Sequence, residues 1–304
     1  MFSMPAPAYG CFMATAISPD LVADLVDRIS PSLVRVDAGH RFGGTGTAWS
    51  EDLVITASHV VERDEDIELG LDGDKTAKAS VVGRDETTNV ALLRVDGAKL
   101  VPAKFRSLDG LRVGHFTVAV ARPGKTVRAS FGIVSVLGGE FQTRPGARIE
   151  RWLESDADIS AGWSGGALID LEGTALGINN RGLVRHAHLT IPHVTLERVV
   201  SELAKHGKIR RGYLGVGVHR VALQDAVAAR LGRKQDAGVL VHAVEPKSHA
   251  DGAGILVGDI LVAIDGAKVE SPWELASVLR DKVDADIAIE LVRAGKVEQI
   301  KAKT

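Results

Sequence analysis

The chain has 304 residues, 45% of them apolar and 25% charged, so it can bury an ordinary hydrophobic core and is long enough for two domains. Its 37 basic and 39 acidic side chains nearly balance, which argues against binding to nucleic acid or to an anionic membrane. Cys11 is the only cysteine, so no disulfide can form within the chain, and no apolar run approaches the ~20 residues of a membrane-spanning helix.

The N-terminal segment 1–18 carries no charge, which resembles a signal peptide. It lacks the basic start of such a peptide, however, and Pro5, Pro7 and Gly10 interrupt any apolar helix. We therefore expect a flexible N-terminal arm without a convincing signal, and a cytoplasmic rather than a periplasmic location.

The following elements divide the chain into parts. Ser18-Pro19-Asp20 predicts a helix start, and the region 1–31 is an arm followed by that helix. Residues 32–207 contain many short β-type runs and a closing amphipathic helix, which predicts an all-β barrel or sandwich. The basic stretch 208–211 is a linker, and 212–304 form a compact second domain with two helices.

The candidate nucleophile is Ser164, within Gly162-Trp163-Ser164-Gly165-Gly166. A serine between glycines has an accessible hydroxyl and neighbouring N–H groups that can receive a developing oxyanion. His59, at the end of a predicted strand, can supply the general base. The α/β-hydrolase elbow shares the G-x-S-x-G pattern, but it needs a helix after the serine, and here a strand follows.

These segments, in their order and spacing, resemble the trypsin-like serine proteases of the HtrA family. The matching pieces are 43–48, 56–61, 85–95, 155–168, 177–179 and 208–216. The resemblance implies a mainly β chain: a chymotrypsin-like double six-stranded β-barrel followed by an α+β PDZ domain. It implies Ser164 as nucleophile, His59 as base and the N–H groups of Gly162 and Ser164 as the oxyanion hole. It also implies a homotrimer for protein quality control that cleaves unfolded or misfolded polypeptides.

Two residues depart from the family pattern. Asn89 stands where the acid that orients His59 is expected, and Trp163 replaces the residue before the nucleophile, which is commonly asparagine in the family. An amide can orient the histidine but cannot stabilise the imidazolium, so we expect weakened catalysis. Asp85 could replace the acid only if the strand shifted. The alternative is an inactive pseudoprotease that binds peptides as a scaffold or chaperone.

The expected substrate pocket contains Asp158, Ile159 and Ile178. Asp158 lies six residues before Ser164, where trypsin-like enzymes have the base of the primary pocket. A carboxylate there would favour Arg or Lys in the substrate. The alternative is an exposed loop acid, with the small aliphatic preference usual in the family.

In the C-terminal domain, Tyr213, Leu214, Gly215 and Val216 resemble the carboxylate-binding loop of PDZ domains, which implies binding of peptide C-termini. A helix from Pro272 to about Lys282 would form the other wall of the groove, although its apolar residues Leu275, Val278 and Leu279 can equally belong to the core.

We expect no cofactor and no metal. Three histidines near one predicted strand, His186, His188 and His193, suggest a metal only weakly, because no paired carboxylate or cysteine accompanies them.

Overall fold

The structure is a computed structural model that describes residues 19–41, 43–143, 146–184 and 188–304. The predicted N-terminal arm lies outside these residues, as does His186. The chain divides into two compact units. The first comprises residues up to 81, 91–139 and 150–196, and the second comprises 82–90, 140–149 and 197–304.

Helix α1 (Pro19–Ile29) begins where the sequence predicts it. Its apolar stripe is buried: Leu25 and Ile29 pack in one cluster with Val118 and Val120, which belong to the second barrel described below. The helix is therefore part of the core of the first unit.

Six strands form the first closed barrel: β1 (Leu33–Asp37), β2 (Gly44–Ala48), β3 (Leu53–Ala57), β4 (Ile67–Gly70), β5 (Thr76–Asp85) and β6 (Val90–Asp96). Their order around the barrel is β1-β2-β3-β6-β5-β4. Closure leaves no free sheet edge. Alternating strand residues point inward and form an aliphatic core that includes Val34, Val36, Val54, Ala91 and Leu93.

The next strands are β7 (Phe116–Ala121), β8 (Arg128–Leu137), the short pair β9 (Phe141–Gln142) and β10 (Arg148–Ile149), then β11 (Leu153–Ser155), β12 (Ala167–Ile169), β13 (Ala175–Asn180) and β14 (Leu189–Pro192). Six of them close the second barrel in the order β11-β14-β13-β12-β7-β8, and β9 pairs only with β10. Helix α2 (His193–His206) follows. The prediction of two six-stranded barrels is confirmed.

The C-terminal domain is a sheet flanked by short helices. Its strands are β15 (Val216–Ala222), β16 (Ala237–Val244), β17 (Ile260–Ile264), β18 (Ala267–Lys268), β19 (Asp286–Arg293) and β20 (Lys296–Lys303); its helices are α3 (Asp225–Ala228), α4 (His249–Gly252) and α5 (Pro272–Arg280). The main order is β15-β16-β17-β19-β20, which leaves β15 at an edge. Leu275 and Leu279 of α5 are buried in the core, whereas Val278 is only partly buried against it.

Candidate active site

The candidate nucleophile Ser164 lies in a tight loop that precedes β12. Its side chain is buried, and its hydroxyl oxygen accepts a hydrogen bond from the Arg181 N–H at 3.3 Å. A serine hydroxyl has two acceptor positions and one proton. The bond from Arg181 therefore leaves the hydroxyl proton available for transfer to a base.

The loop of Ser164 is anchored to the first barrel by two threonines of β2. Thr45 Oγ1 donates to the Gly162 carbonyl at 2.9 Å, and Thr47 Oγ1 donates to the Gly165 carbonyl at 2.8 Å. The Thr45 N–H also donates to the Ser164 carbonyl at 3.2 Å. These bonds fix the backbone on both sides of the nucleophile.

Gly165 allows the loop to approach β3 closely. Its φ is 89°, and a Cβ atom added there would lie 2.0 Å from the Thr45 carbonyl oxygen and 2.6 Å from Thr56 Oγ1. Only glycine combines this backbone conformation with this contact. Thr56 belongs to the strand that leads directly to His59, so the approach brings the serine loop against the segment that carries the candidate base.

His59 occupies a single 3-10 turn, Ser58–Val60, at the end of β3. Val60 is buried in the first barrel and holds the turn in place, while the imidazole of His59 is exposed. The ring of His40 packs edge-on against it, with 6.2 Å between the ring centroids.

Trp163, the residue before the nucleophile, is buried in the core of the second barrel. It packs in one cluster with Leu111, Val134, Ile159 and Leu176. Its indole Nε1 is buried and donates to no residue within the described ranges. The order of the loop at this position comes from apolar packing.

Asn89 immediately precedes β6 and is buried, with φ 56°. Asparagine is one of the few non-glycine residues that adopt this left-handed conformation readily. Asp85, four residues earlier, is engaged in its own turn. Its carboxylate accepts from both the N–H and the hydroxyl of Thr88 at 3.1 and 2.7 Å, from Thr87, and from Arg211 at 3.1 Å. Both carboxylate oxygens of Asp85 are therefore engaged within its own turn and with Arg211.

The three residues expected in the substrate pocket differ in exposure. Ile159 and Ile178 are fully buried, whereas Asp158 is exposed and its carboxylate accepts a hydrogen bond from the Ser160 hydroxyl at 3.1 Å. The Asp158 N–H is fixed by Ser130 at 2.9 Å. The carboxylate therefore lies in water and not in a poorly solvated cavity.

The predicted carboxylate-binding loop of the second domain leads into the edge strand β15. Leu214 is buried, its carbonyl accepts from the Ala250 N–H at 2.8 Å, and Gly215 has φ 82° with Ser248 closely packed against it. Tyr213 is exposed and donates to Glu245. This hydrogen bond raises the pKa of the Tyr213 phenol above its ordinary value.

Of the histidines considered as metal ligands, His193 packs among aromatic rings. His193 stacks on Phe105, with ring centroids 5.3 Å apart, and lies against Trp49. In the described part of the chain, no group of three or more His, Cys, Asp or Glu side chains is placed to hold a metal ion.

Sequence reasoning missed three groups that shape the site. They are the β2 threonines Thr45 and Thr47, the Arg181 N–H and the His40 ring. The alternation Gly44-Thr45-Gly46-Thr47 could have indicated the two threonines. In a buried strand, alternating glycines allow another segment of backbone to approach closely, and the hydroxyls between them can donate hydrogen bonds to it. A backbone N–H such as that of Arg181 leaves no signal in the sequence.

Comparisons with known proteins agree with this architecture. The family model of a trypsin-like peptidase domain matches residues 44–178, and that of a PDZ domain matches residues 212–304. The probable periplasmic serine protease do/HhoA-like of Haemophilus influenzae is 33% identical over 287 residues, covering 88% of this chain and 60% of the relative. The periplasmic serine endoprotease DegP of Salmonella typhimurium is 33% identical over 260 residues, covering 81% of this chain and 53% of DegP.

Solved structures give the same result. The HtrA-type protease AlgW with a decapeptide superposes with a TM-score of 0.72 at 25% identity, covering 92% of this chain and 97% of AlgW. The serine endoprotease from Yersinia pestis has a TM-score of 0.72 at 25% identity, covering 92% of this chain and 96% of its own.

Two closed barrels that contain Ser164, followed by a PDZ domain, define the architecture of the trypsin-like serine proteases that carry a PDZ domain. The chain belongs to the HtrA family of serine proteases.

The relatives correct one expectation. The prediction of a cytoplasmic location is wrong, because similar proteins are named periplasmic serine proteases. The segment on which that prediction rested, 1–18, lies outside the described residues. Among the described residues, no helix is long and apolar enough to cross a membrane. The chain spans between about half and three-fifths of the length of the curated relatives that it matches.

Proposed function

We propose that this protein is a serine endopeptidase of protein quality control that cleaves unfolded or misfolded polypeptides slowly. The observation that carries the proposal is the loop of Ser164, whose backbone is fixed by Thr45 and Thr47 while its hydroxyl proton remains available. A fixed backbone around an accessible hydroxyl is what nucleophilic catalysis by a serine requires.

The proposed chemistry is acyl transfer. His59 takes the Ser164 proton, the serine oxygen attacks the scissile carbonyl, and the N–H groups of Gly162 and Ser164 receive the negative charge on the carbonyl oxygen. His59 later returns the proton to the leaving amine. Each step passes through an imidazolium that Asn89, as an amide, cannot stabilise. In a trypsin-type enzyme the same exchange of acid for amide costs about 10⁴ in turnover, equivalent to about 5.5 kcal/mol.

The decisive experiment is the substitution Asn89→Asp. Hydrolysis of casein or of a peptide ester should rise by about 10²–10⁴, because the substitution restores the acid that the family resemblance implies for the triad. Asn89→Gly is the matched control, because glycine adopts φ 56° equally well but adds no carboxylate. This variant should hydrolyse the substrate no faster than the parent. Adding Ser164→Ala to Asn89→Asp should abolish the gained activity, which excludes a contaminating protease.

The second candidate function is that of an inactive pseudoprotease that serves as a peptide-binding scaffold or chaperone. The observation in its favour is Asn89 itself, supported by the engagement of Asp85 with Thr87, Thr88 and Arg211. An Asn89→Asp variant that folds normally, remains inert and takes no fluorophosphonate label on Ser164 would establish this alternative.

The PDZ domain is proposed to bind free peptide C-termini that end in an apolar residue. The edge position of β15 supports strand addition, the glycine loop at Gly215 supports binding of the carboxylate, and the partial exposure of Val278 supports an apolar groove wall. Fluorescence titration should show much weaker binding for the amidated form of one peptide than for its free acid. Equal affinity for the two forms would remove the carboxylate-loop interpretation.

The cleavage preference separates two forms of the substrate pocket. If Asp158 reaches the pocket base, cuts fall after Arg or Lys, and Asp158→Ala abolishes that preference. The exposure of Asp158 and its bond from Ser160 support the other form, in which Ile159 and Ile178 make an apolar pocket and cuts fall after Val, Ala or Leu. Mass spectrometry of a digested unfolded protein distinguishes the two.

The assembly proposed for the chain is a homotrimer, as the family resemblance implies. Analytical ultracentrifugation should give three times the mass of the 304-residue chain. A monomer at micromolar concentration would contradict the proposal.

A further inference from the structure

A small cavity in the second unit is lined by an unusual number of arginines. Its volume is about 270 Å³, and its lining includes Arg148, Arg198, Arg210, Arg211 and Arg280. These residues come from β10, α2, the linker and the last turn of α5. The cavity is below the usual size of a drug-sized site, so it suits a small polyatomic ligand. We call it the arginine cavity.

Four of the arginines are held by partners within the unit. The pairs are Arg148 with Glu140 at 3.0 Å, Arg198 with the carbonyl of Arg148 at 2.8 Å, Arg210 with Asp284 at 3.1 Å, and Arg211 with Asp85 at 3.1 Å. These contacts fix the walls of the cavity before any ligand enters.

The guanidinium of Arg280 has two unfilled donors. Its Nε and one terminal nitrogen are shielded from water and donate to no group in the described part of the chain. Buried polar groups in proteins are almost always hydrogen-bonded, so such an exception calls for an explanation. Burial lowers the pKa of Arg280, as do the nearby charges of Arg148 and Arg211, while Asp281 and Glu140 act in the opposite direction. An arginine nonetheless stays protonated in a protein.

We propose that the arginine cavity binds a phosphate-type oxyanion, with the guanidinium of Arg280 as its principal ligand. The planar fork of an arginine matches two oxygens of a phosphate, which would satisfy the two donors of Arg280. A single water molecule can also accept from these donors, but it carries no charge, whereas a hydrogen bond in which both partners are ionised is the stronger one.

The surrounding charges determine what kind of site this is. Glu202 and Asp281 also line the cavity, and Asp85, Asp284 and Glu140 neutralise three of the arginines. The site therefore has no large excess of positive charge to attract anions in general. Binding depends on the two unfilled donors of Arg280. Loss of this one side chain should therefore lower the affinity for the anion far more than loss of a positive charge elsewhere.

The test is isothermal titration of the full chain, carrying Ser164→Ala, with inorganic phosphate at constant ionic strength. We expect saturable one-site binding, at least a tenfold loss of affinity in Arg280→Lys, which keeps the charge but not the fork, and no binding in Arg280→Gln. Arg220→Gln is the matched control, because it removes the same charge from an exposed position on β15 and should bind as the parent does. Repeating the titration with O-phosphoserine distinguishes free phosphate from a phosphate ester as the preferred ligand.

Thermal unfolding provides a second measurement that is independent of protease activity. Phosphate should raise the midpoint of the parent and of Arg220→Gln, and this rise should be absent in Arg280→Gln. Without phosphate, Arg280→Gln should be at least as stable as the parent, because it removes a half-buried cation with two unfilled donors. Equal stabilisation of all three proteins would mean general exclusion of phosphate from protein surfaces and would overturn the proposal. Full binding by Arg280→Lys would also overturn it.

Discussion

The close approach at Gly165 leads to a prediction whose size follows from the structure. Alanine at this position must tolerate φ 89° and a Cβ atom 2.0 Å from the Thr45 carbonyl oxygen. Carbon and oxygen atoms that are not bonded normally come no closer than about 3.3 Å. In Gly165→Ala the loop must therefore move away from β2 and β3 by more than 1 Å, taking Ser164 with it.

The cost has two parts. The left-handed conformation costs an alanine about 1–2 kcal/mol. The movement also strains two hydrogen bonds, from Thr47 Oγ1 to the Gly165 carbonyl at 2.8 Å and from the Gly165 N–H to the Asn179 carbonyl at 2.9 Å, each contributing about 0.5–1.5 kcal/mol. We expect a loss of about 2–5 kcal/mol in the free energy of unfolding, together with loss of fluorophosphonate labelling.

The matched control is Gly114→Ala. Gly114 has a nearly equal φ of 93°, but nothing lies within 4 Å of a Cβ atom added there. Gly114→Ala should lose only the cost of the left-handed conformation, about 1–2 kcal/mol in the free energy of unfolding. It should take the fluorophosphonate label as the parent does. Urea unfolding followed by tryptophan fluorescence measures both variants. If both variants lost the same free energy of unfolding and Gly165→Ala still took the fluorophosphonate label, close packing would not be the reason for glycine at this position.

Three further predictions concern single side chains. Trp163→Phe should be neutral or slightly stabilising because it removes a buried unpaired N–H, whereas Trp163→Ala should cost about 3–5 kcal/mol in urea unfolding. In an absorbance titration, Tyr213 should ionise above its ordinary pKa of 10.0, and Glu245→Ala should lower that value by removing the hydrogen bond. Burial alone would raise the pKa of Asp259, but hydrogen bonds, chiefly from Arg293, outweigh it and lower the pKa below 3.8. The stability that this ion pair contributes is therefore present at neutral pH and lost as the pH falls below about 4. In acid unfolding, Asp259→Asn should reduce this pH-dependent loss of stability.

The fold could be predicted in outline because its local signals agree with one another. The capping pattern at Pro19 and the apolar stripe of Leu25 and Ile29 give α1 directly. Short β runs between turns indicate a barrel or sandwich, but strand order depends on pairings between distant residues, which periodicity does not encode. The two barrels followed from the resemblance to the HtrA family rather than from strand patterns.

The groove helix shows where sequence pattern reaches its limit. Leu275, Val278 and Leu279 occupy one apolar stripe of α5, and the sequence could not say which of them face a groove. The structure divides them, burying Leu275 and Leu279 and leaving Val278 partly exposed. This division depends on the position of the sheet beneath the helix, which is a tertiary property.

Asp158 shows a limit of a different kind. Register with trypsin-like enzymes suggested a pocket carboxylate, yet its burial depends on how the loop before Ser164 folds. Ser130 and Ser160 hold this loop so that the carboxylate meets solvent. Both serines are short and polar, and no sequence pattern around either of them predicts that it holds this loop.

The backbone conformation of Asn89 bears on why an amide stands at this position. A turn residue at φ 56° is well served by asparagine, but aspartate tolerates the left-handed region for the same reason, since its short polar side chain can bond locally. The backbone therefore gives no reason to prefer the amide over the acid. Asp85, the other carboxylate in this turn, is already engaged by Thr88 and Arg211. In the proposed mechanism, catalysis by the natural sequence therefore rests on His59, Ser164 and the N–H groups of Gly162 and Ser164, and Asn89→Asp adds a carboxylate without disturbing the backbone.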